Sequence, residues 1–229
     1  MRFSLSAALV LLPAVLSATL QVAAAAEPEP PTEWIDQETG HRVIRLSKEP
    51  GTASLYFHQN SYSPDGKKLV VTTEHGISTI DLATRKIAEI AEGDNLRIMV
   101  TGRKSGNVYY TRQDEKDSKA RWVYATHMET HKTRKIAKIP RGSLVSVNAD
   151  ETLLLGSWVN GEEIQVGEAP KEPQVGPDGK PITYHQARGL RIRQVFEQRL
   201  ERTIFTLYIG TGEIEDVHTA RDWVNHLQF

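Results

Sequence analysis

The reactive side chains of this protein have to come from its histidines, arginines and amides, because the sequence contains no cysteine. Without cysteine it can form neither a disulfide nor a thiolate metal site. Imidazole exchanges a proton near neutral pH and is the commonest metal ligand. Most of the histidines nevertheless lack the spacing of a metal site, namely His75, His127, His131, His185 and His218. His127 and His131 are expected to be exposed on either side of a turn.

A second group of candidates is a basic cluster in the last quarter of the chain. Insertions in repeat proteins tend to lie on the face that binds a ligand. An ordinary solvated helix face is the alternative, and the cluster alone leaves both interpretations open. It contains two acidic residues, Glu197 and Glu201, and five basic ones, Arg188, Arg191, Arg193, Arg199 and Arg202.

The end of the chain repeats an earlier segment. Tyr56-Phe-His-Gln-Asn-Ser-Tyr62 runs into the turn Ser63-Pro-Asp-Gly66 and then an apolar strand, Leu69 to Thr72. Asp222 to Phe229 reproduce the lead-in without the turn or the strand. Half a hairpin leaves backbone groups unpaired. The polypeptide is therefore expected to be the front part of a longer repeat protein.

Aligning the two copies of this segment, Tyr62 with Phe229, places Gln59 opposite His226. In a β-propeller this position is the start of a blade's innermost strand, where side chains converge on a central pocket. The alternative for His226 is a histidine at a strand end that only bonds a neighbouring group. The residues expected to line the pocket are His58, Gln59 and Asn60.

Short strands on a repeating pattern carry these residues. Four stretches share the order strand, polar residue, Thr-containing turn and second strand, at 34–46, 78–90, 123–136 and 205–217. The turn residues Thr39, Thr84 and Thr130 are about 45 residues apart, the period of four-stranded propeller blades. A β-sandwich with coincidental spacing is the alternative.

The other halves of the blades lie between these hairpins. Residues 63–72 form a turn that feeds a strand, residues 148–157 repeat it, and residues 101–111 are a looser copy. Asp and Gly suit such turns, since Asp bonds the local backbone and Gly accepts positive φ. We therefore predict an all-β fold over residues 34–229, a β-propeller of four-stranded blades with about four blades in this chain.

One blade is interrupted by an insertion. Thr211 comes about 35 to 40 residues later than the blade period predicts, which places the insertion at about residues 160–203. Residues 160–180 are rich in Gly, Pro and Glu and are predicted to be loop. Residues 182–200 are predicted to carry a helix with apolar contacts from Leu190, Val195, Phe196 and Leu200.

The N-terminus predicts export. Residues 1–26 combine Arg2, an apolar run and four alanines at a cleavage site, as in a secretory signal peptide. A membrane anchor is the alternative, but the run is short for a span. Cleavage would leave a Pro/Glu-rich tail at 27–33 and a bacterial protein, periplasmic or secreted, with no membrane span. The net charge of −1 and the absence of a basic–aromatic module argue against a nucleic-acid partner.

Several of these segments, taken in order, resemble the N-terminal part of oligogalacturonate lyases. The likeness rests on the hairpin with Thr39-Gly40, the run Tyr56-Phe-His-Gln59 leading into Asp65-Gly-Lys-Lys-Leu69, and Trp223-Val-Asn-His226. It covers most of the mature chain. The resemblance implies a seven-bladed propeller that cuts short pectin fragments, the galacturonides, by β-elimination.

The resemblance also implies roles for single residues. By position His226 matches the base that removes the C5 proton of a galacturonate, and a neutral imidazole can accept that proton. Arg202 matches the family's arginine, with Arg199 as a second candidate to hold a carboxylate, because the guanidinium fork fits carboxylate geometry. The predicted substrate-binding residues are Gln59, His58, Asn60 and Arg199.

A divalent metal, Mn²⁺, is also implied by the resemblance. The family holds it mainly with histidines and a glutamine of later blades, so its ligands are not expected in this chain. We expect the complete protein to use Mn²⁺ and this polypeptide alone to show little or no turnover.

The predicted function is that of an exported lyase acting on acidic galacturonides in pectin catabolism. A non-catalytic, TolB-like periplasmic propeller that binds a protein or glycan partner is the alternative. A third interpretation, the propeller half of a serine peptidase, would require a Gly-x-Ser-x-Gly elbow, which the sequence lacks.

Overall fold

The computed structural model describes residues 31–57, 59–161, 175–176 and 179–229. The predicted export signal, His58 and most of the predicted insertion loop lie outside these described residues. The chain divides after Ile44 into two units.

The first unit contains a short antiparallel hairpin of β1 (Glu33–Ile35) and β2 (Arg42–Ile44). Asp36 organises its turn, since Oδ1 accepts from the backbone N–H of Thr39 at 2.8 Å and from the Thr39 hydroxyl at 2.7 Å. Gly40 follows at φ +70°, a conformation that costs glycine little because it has no Cβ. The first predicted hairpin is therefore present.

The second unit contains three four-stranded antiparallel sheets, each built from consecutive strands. We call them blades 1, 2 and 3. Blade 1 comprises β3 (Ala53–Ser54), β4 (Lys68–Thr73), β5 (Gly76–Asp81) and β6 (Ile87–Glu92). Blade 2 comprises β7 (Leu96–Thr101), β8 (Asn107–Gln113), β9 (Arg121–His127) and β10 (Thr133–Ile139). Blade 3 comprises β11 (Ser143–Val147), β12 (Leu153–Val159), β13 (Arg202–Tyr208) and β14 (Ile214–Ala220).

The predicted blade architecture is confirmed, and the remaining three predicted hairpins are the outer strand pairs β5–β6, β9–β10 and β13–β14. About four blades were predicted. The described residues contain three complete four-stranded blades, because the first hairpin, β1–β2, forms a separate two-stranded sheet.

Blade 2 has an apolar core on each of its faces. Successive side chains of a strand point to opposite faces of the sheet. In β8, Val108 and Tyr110 therefore join a cluster with blade 1, whereas Tyr109 joins a cluster with blade 3. In the second cluster Phe205, which is fully buried, stacks on Trp158 with ring centroids 4.2 Å apart. Each blade is thus stabilised by packing on its neighbour.

The insertion lies between β12 and β13 and carries one helix, α1 (Tyr184–Glu197). Its start is set by a capping box. The Thr183 hydroxyl accepts from the backbone N–H of Gln186, and the Gln186 side chain accepts from the backbone N–H of Thr183 at 2.8 Å. This arrangement satisfies two N–H groups that the first helical turn would leave unpaired. The predicted helix is confirmed.

The apolar residues predicted to anchor this helix are only partly covered, and none of the helix is buried. Val195, Phe196 and Leu200 border one small cavity, whereas Leu190 is 49% exposed. Across the described residues, no helix combines the length and the apolarity needed to cross a membrane.

Candidate functional site

A cavity of about 310 Å³ opens between the innermost strands of the blades. Its walls come from β7, β11, the segment before Ser61 and the last two residues of the chain, and they include Gln59, Asn60, Asn148 and Phe229. The structure thus brings Gln59 and Asn60 together with the last two residues of the chain.

The amide of Gln59 bonds to backbone groups of two blades. Its Oε1 accepts from the Tyr56 N–H at 3.0 Å, and its Nε2 donates to the Met99 carbonyl at 2.7 Å. Asn60 Nδ2 donates to the Tyr62 carbonyl at 3.2 Å. These bonds fix the course of the inner strand beside the cavity. The substrate-binding roles of both residues stay predictions, as does that of His58, which is not described.

His226 lies close to this cavity without lining it. Its φ of +53° is uncommon for a residue with a Cβ, and its N–H donates to Asn225 Oδ1 at 2.9 Å. The residue is exposed. Its imidazole stacks on Tyr56 with ring centroids 6.2 Å apart and planes inclined by 25°. Because Gln59 bonds the backbone of Tyr56, Tyr56 links Gln59 to His226.

Tyr56 is the site residue that the sequence analysis did not assign. In the aligned repeats Tyr56 occupies the position of Trp223, so an aromatic side chain stands at the same place in both copies. This matching aromatic position is the feature of the sequence from which Tyr56 could be assigned to the site. Aromatic rings at a ligand site commonly supply flat apolar surface.

The two predicted arginines lie where the end of the insertion meets the segment before His226. Arg199, Arg202, Arg221 and Trp223 border a small cavity of about 20 Å³. A space of this size holds about one water, so it marks a packing contact and is too small for a sugar. The Arg199 carbonyl accepts from the Arg221 guanidinium at 3.3 Å, which ties the insertion to this segment.

Glu151 connects the turn between β11 and β12 to the turn between β7 and β8, beside the cavity of about 310 Å³. Its carboxylate accepts from the N–H groups of Lys104 at 2.6 Å and Ser105 at 2.9 Å, from the Ser105 hydroxyl, and from the Tyr109 hydroxyl at 3.0 Å. Burial acts to raise the pKa of Glu151, but the hydrogen bonds outweigh burial and hold it below its usual range. Burial and the adjacent carboxylate raise the pKa of Tyr109 to about 12.

The remaining histidines include one whose environment differs from the prediction. His131 is exposed, as expected, whereas His127 is half-buried. His127 Nδ1 accepts from the N–H groups of Glu129 and Thr130, both at 3.2 Å. This nitrogen is therefore used to hold the turn.

Manganese does not fit the side chains that the structure describes. Within the described ranges, no group of three or more His, Asp or Glu side chains is placed to hold a metal ion. Three or four such ligands are the usual requirement for a transition metal.

Comparison with known proteins identifies the fold. No protein-family model matches the chain, and no curated protein matches its sequence. An oligogalacturonate lyase from Vibrio parahaemolyticus is 18% identical with a TM-score of 0.59, over 86% of this chain and 48% of that one. An oligogalacturonate lyase in complex with manganese is 17% identical with a TM-score of 0.62, again over 86% of this chain and 48% of that one. The fold of this chain is that of a β-propeller. This propeller chain spans about half the length of either structure.

Proposed function

We propose that this chain forms the substrate-holding and proton-accepting part of an oligogalacturonate lyase. Two structures of that name share its fold. The observation that carries the proposal is the contact between the insertion and the segment before His226. Arg202 and Trp223 border the same small cavity, and His226 follows Trp223 by three residues.

β-Elimination needs a cation that stabilises the substrate carboxylate and a base that removes a proton, and the side chains of arginine and histidine can fill these two roles. The C5 proton of a galacturonate becomes removable when the charge that develops on its carboxylate is stabilised. A guanidinium binds a carboxylate with two parallel hydrogen bonds and keeps its charge at all working pH values. We assign this role to Arg202, with Arg199 as a second contact.

The elimination itself needs only one proton acceptor on the protein. His226 takes the C5 proton, the electrons of the C5–H bond form the C4–C5 double bond, and the C4–O4 bond breaks. The departing O4 takes a proton from water. An exposed imidazole stacked on Tyr56 can reach a bound sugar, and the stack limits the orientations of the ring.

Export to the periplasm or outside the cell is part of this proposal, on the strength of residues 1–26. The divalent metal of the complete protein is a proposal too, supported by the manganese-bound oligogalacturonate lyase that shares the fold.

Product analysis tests the proposed reaction. The complete protein is incubated with trigalacturonate and Mn²⁺, and the new double bond is followed by its ultraviolet absorbance. We expect unsaturated galacturonides from the acidic substrate and a greatly reduced rate from its methyl ester, whose neutral groups cannot pair with Arg202. Binding of trigalacturonate with no unsaturated product would overturn the lyase and favour a non-catalytic glycan-binding propeller.

A further inference from the structure

A second, larger opening lies between blades 2 and 3. This groove has a volume of about 620 Å³, within the range of about 300 to 1,000 Å³ that small-molecule sites occupy. It is lined by the start of β7, the loop before β9, the segment before β11, the end of β12 and the start of β13. We call it the basic groove, because five cationic residues line it: Arg97, Lys119, Arg121, Arg141 and Arg202.

Among the residues that the structure describes, the lining of the basic groove carries positive charge and no negative charge. None of its described lining residues is acidic, and none of its five cations forms an ion pair with a described residue. The whole chain nevertheless has a net charge of only −1. The concentration of positive charge is therefore a property of this surface, and such a surface raises the local concentration of anions.

Two of the cations repel each other. Burial, and then the positive charge of Arg97, lower the pKa of Arg121. Bringing like charges together in a partly buried place costs free energy. An anion bound between them would relieve that repulsion.

Arg141 is held in a defined position within the basic groove. Its guanidinium donates to Asn160 Oδ1 at 3.3 Å and lies 5.6 Å from the centroid of the Trp158 ring. Asn160 is fixed in turn, because its Nδ2 donates to Thr203 Oγ1 at 2.9 Å and to Glu201 Oε1 at 3.1 Å. A cation held in this way loses little side-chain entropy when it binds a ligand.

The other lining residues narrow the class of ligand. Ser118, Ser143 and Ser157 add hydroxyl groups, which can donate to or accept from sugar hydroxyls. Trp158, the aromatic residue among the described lining residues, is only 9% exposed, so the described part of the groove offers no open ring on which a nucleobase could stack. These features favour an acidic oligosaccharide over a nucleic acid.

We infer that the basic groove is an additional binding site for acidic sugar units, in which Arg97, Arg121 and Arg141 hold carboxylates beyond the unit at Arg202. This inference rests on the proposed function for the identity of the sugar. Arg202 borders both the basic groove and the small cavity beside Trp223. A galacturonide whose carboxylate is held by Arg202 can therefore extend into the basic groove.

Binding measurements on oligomers of increasing length test the inference. The dissociation constants of di-, tri- and tetragalacturonate are measured by calorimetry for the complete protein and its Arg121→Ala variant. We expect the variant to bind tetragalacturonate about tenfold more weakly, the typical cost of one charge-assisted hydrogen bond, and digalacturonate as well as the wild type does. Arg188→Ala is the matched control, because Arg188 is exposed on α1 and lies outside the groove lining. It removes the same charge and should change none of the constants.

The possible outcomes test ligand binding in the basic groove independently of the proposed reaction. Unchanged binding of tetragalacturonate by a folded Arg121→Ala protein, or equal losses in the Arg121→Ala and Arg188→Ala variants, would overturn the groove even if elimination is observed. A length-dependent loss without any unsaturated product would support the groove and overturn the lyase. If Arg121→Ala fails to fold, a protein that carries both Arg97→Ala and Arg121→Lys is measured in its place. Its binding of tetragalacturonate then decides for or against the groove in the same way.

Discussion

At the level of single residues, a histidine replaces an aspartate in one of the repeated turns. Asp81 Oδ1 accepts from the N–H groups of Ala83 at 3.1 Å and Thr84 at 2.7 Å. His127 Nδ1 accepts from the N–H groups two and three residues later in the same way, at 3.2 Å each. A nitrogen acceptor works here only while it is unprotonated.

His127 should therefore tolerate aspartate better than alanine. Alanine removes the acceptor from two turn N–H groups, and we expect the free energy of unfolding to fall by about 1 kcal/mol. His127→Asp restores an acceptor and should match the wild type at pH 7. Urea unfolding of both variants at pH 7 measures this, and equal stability of His127→Ala and His127→Asp would contradict it.

Glu151 should make the acid stability of the protein depend on its own ionisation. Its pKa is held below the usual range in the folded protein, so the carboxylate stabilises the fold at pH values above its unfolded-state pKa. That stabilisation is lost as the pH falls through the folded pKa. In melting experiments from pH 7 to pH 3, we expect Glu151→Gln to be less stable at pH 7 and to lose less stability on acidification. If the melting temperatures of the wild type and Glu151→Gln fell in parallel with pH, the Glu151 carboxylate would not be a source of the acid sensitivity.

At the level of elements, the sequence predicts the features of the fold that are set by residues close together in the chain. The four hairpins follow from alternating apolar residues and turn-forming Asp, Thr and Gly, and the structure contains all four. The basic groove could not be predicted in that way. Arg97, Arg121, Arg141 and Arg202 come from different strands and loops of two blades, and only their packing makes them neighbours.

Helix α1 should melt apart from the blades, because it buries none of its residues. Its Thr183 capping box is its clearest local support. Thr183→Ala should destabilise the helix by about 1 kcal/mol and reduce the helical signal in circular dichroism. The midpoint of sheet unfolding, followed by tryptophan fluorescence, should not move. A shift of that midpoint together with the helical signal would show that the helix and the blades unfold as one unit.

At the level of the whole molecule, the propeller gathers residues that are far apart in sequence. Gln59 and Phe229 line one cavity between the innermost strands, and the insertion reaches the segment before His226 at another. The repeat alignment could predict the first contact, because equivalent positions of the blades of a propeller meet at its centre. It could not predict the second, since an insertion has no equivalent in the other blades.

The whole molecule acts through the proposed proton-accepting role of His226, and steady-state kinetics on trigalacturonate are the direct test of that role. The rate of double-bond formation is compared between the wild type and His226→Ala, with circular dichroism to show that both are folded. Loss of a general base lowers kcat by about 10²- to 10⁴-fold, and we predict such a loss with KM unchanged. A folded His226→Ala protein that retains its kcat would show that His226 is not the proton acceptor.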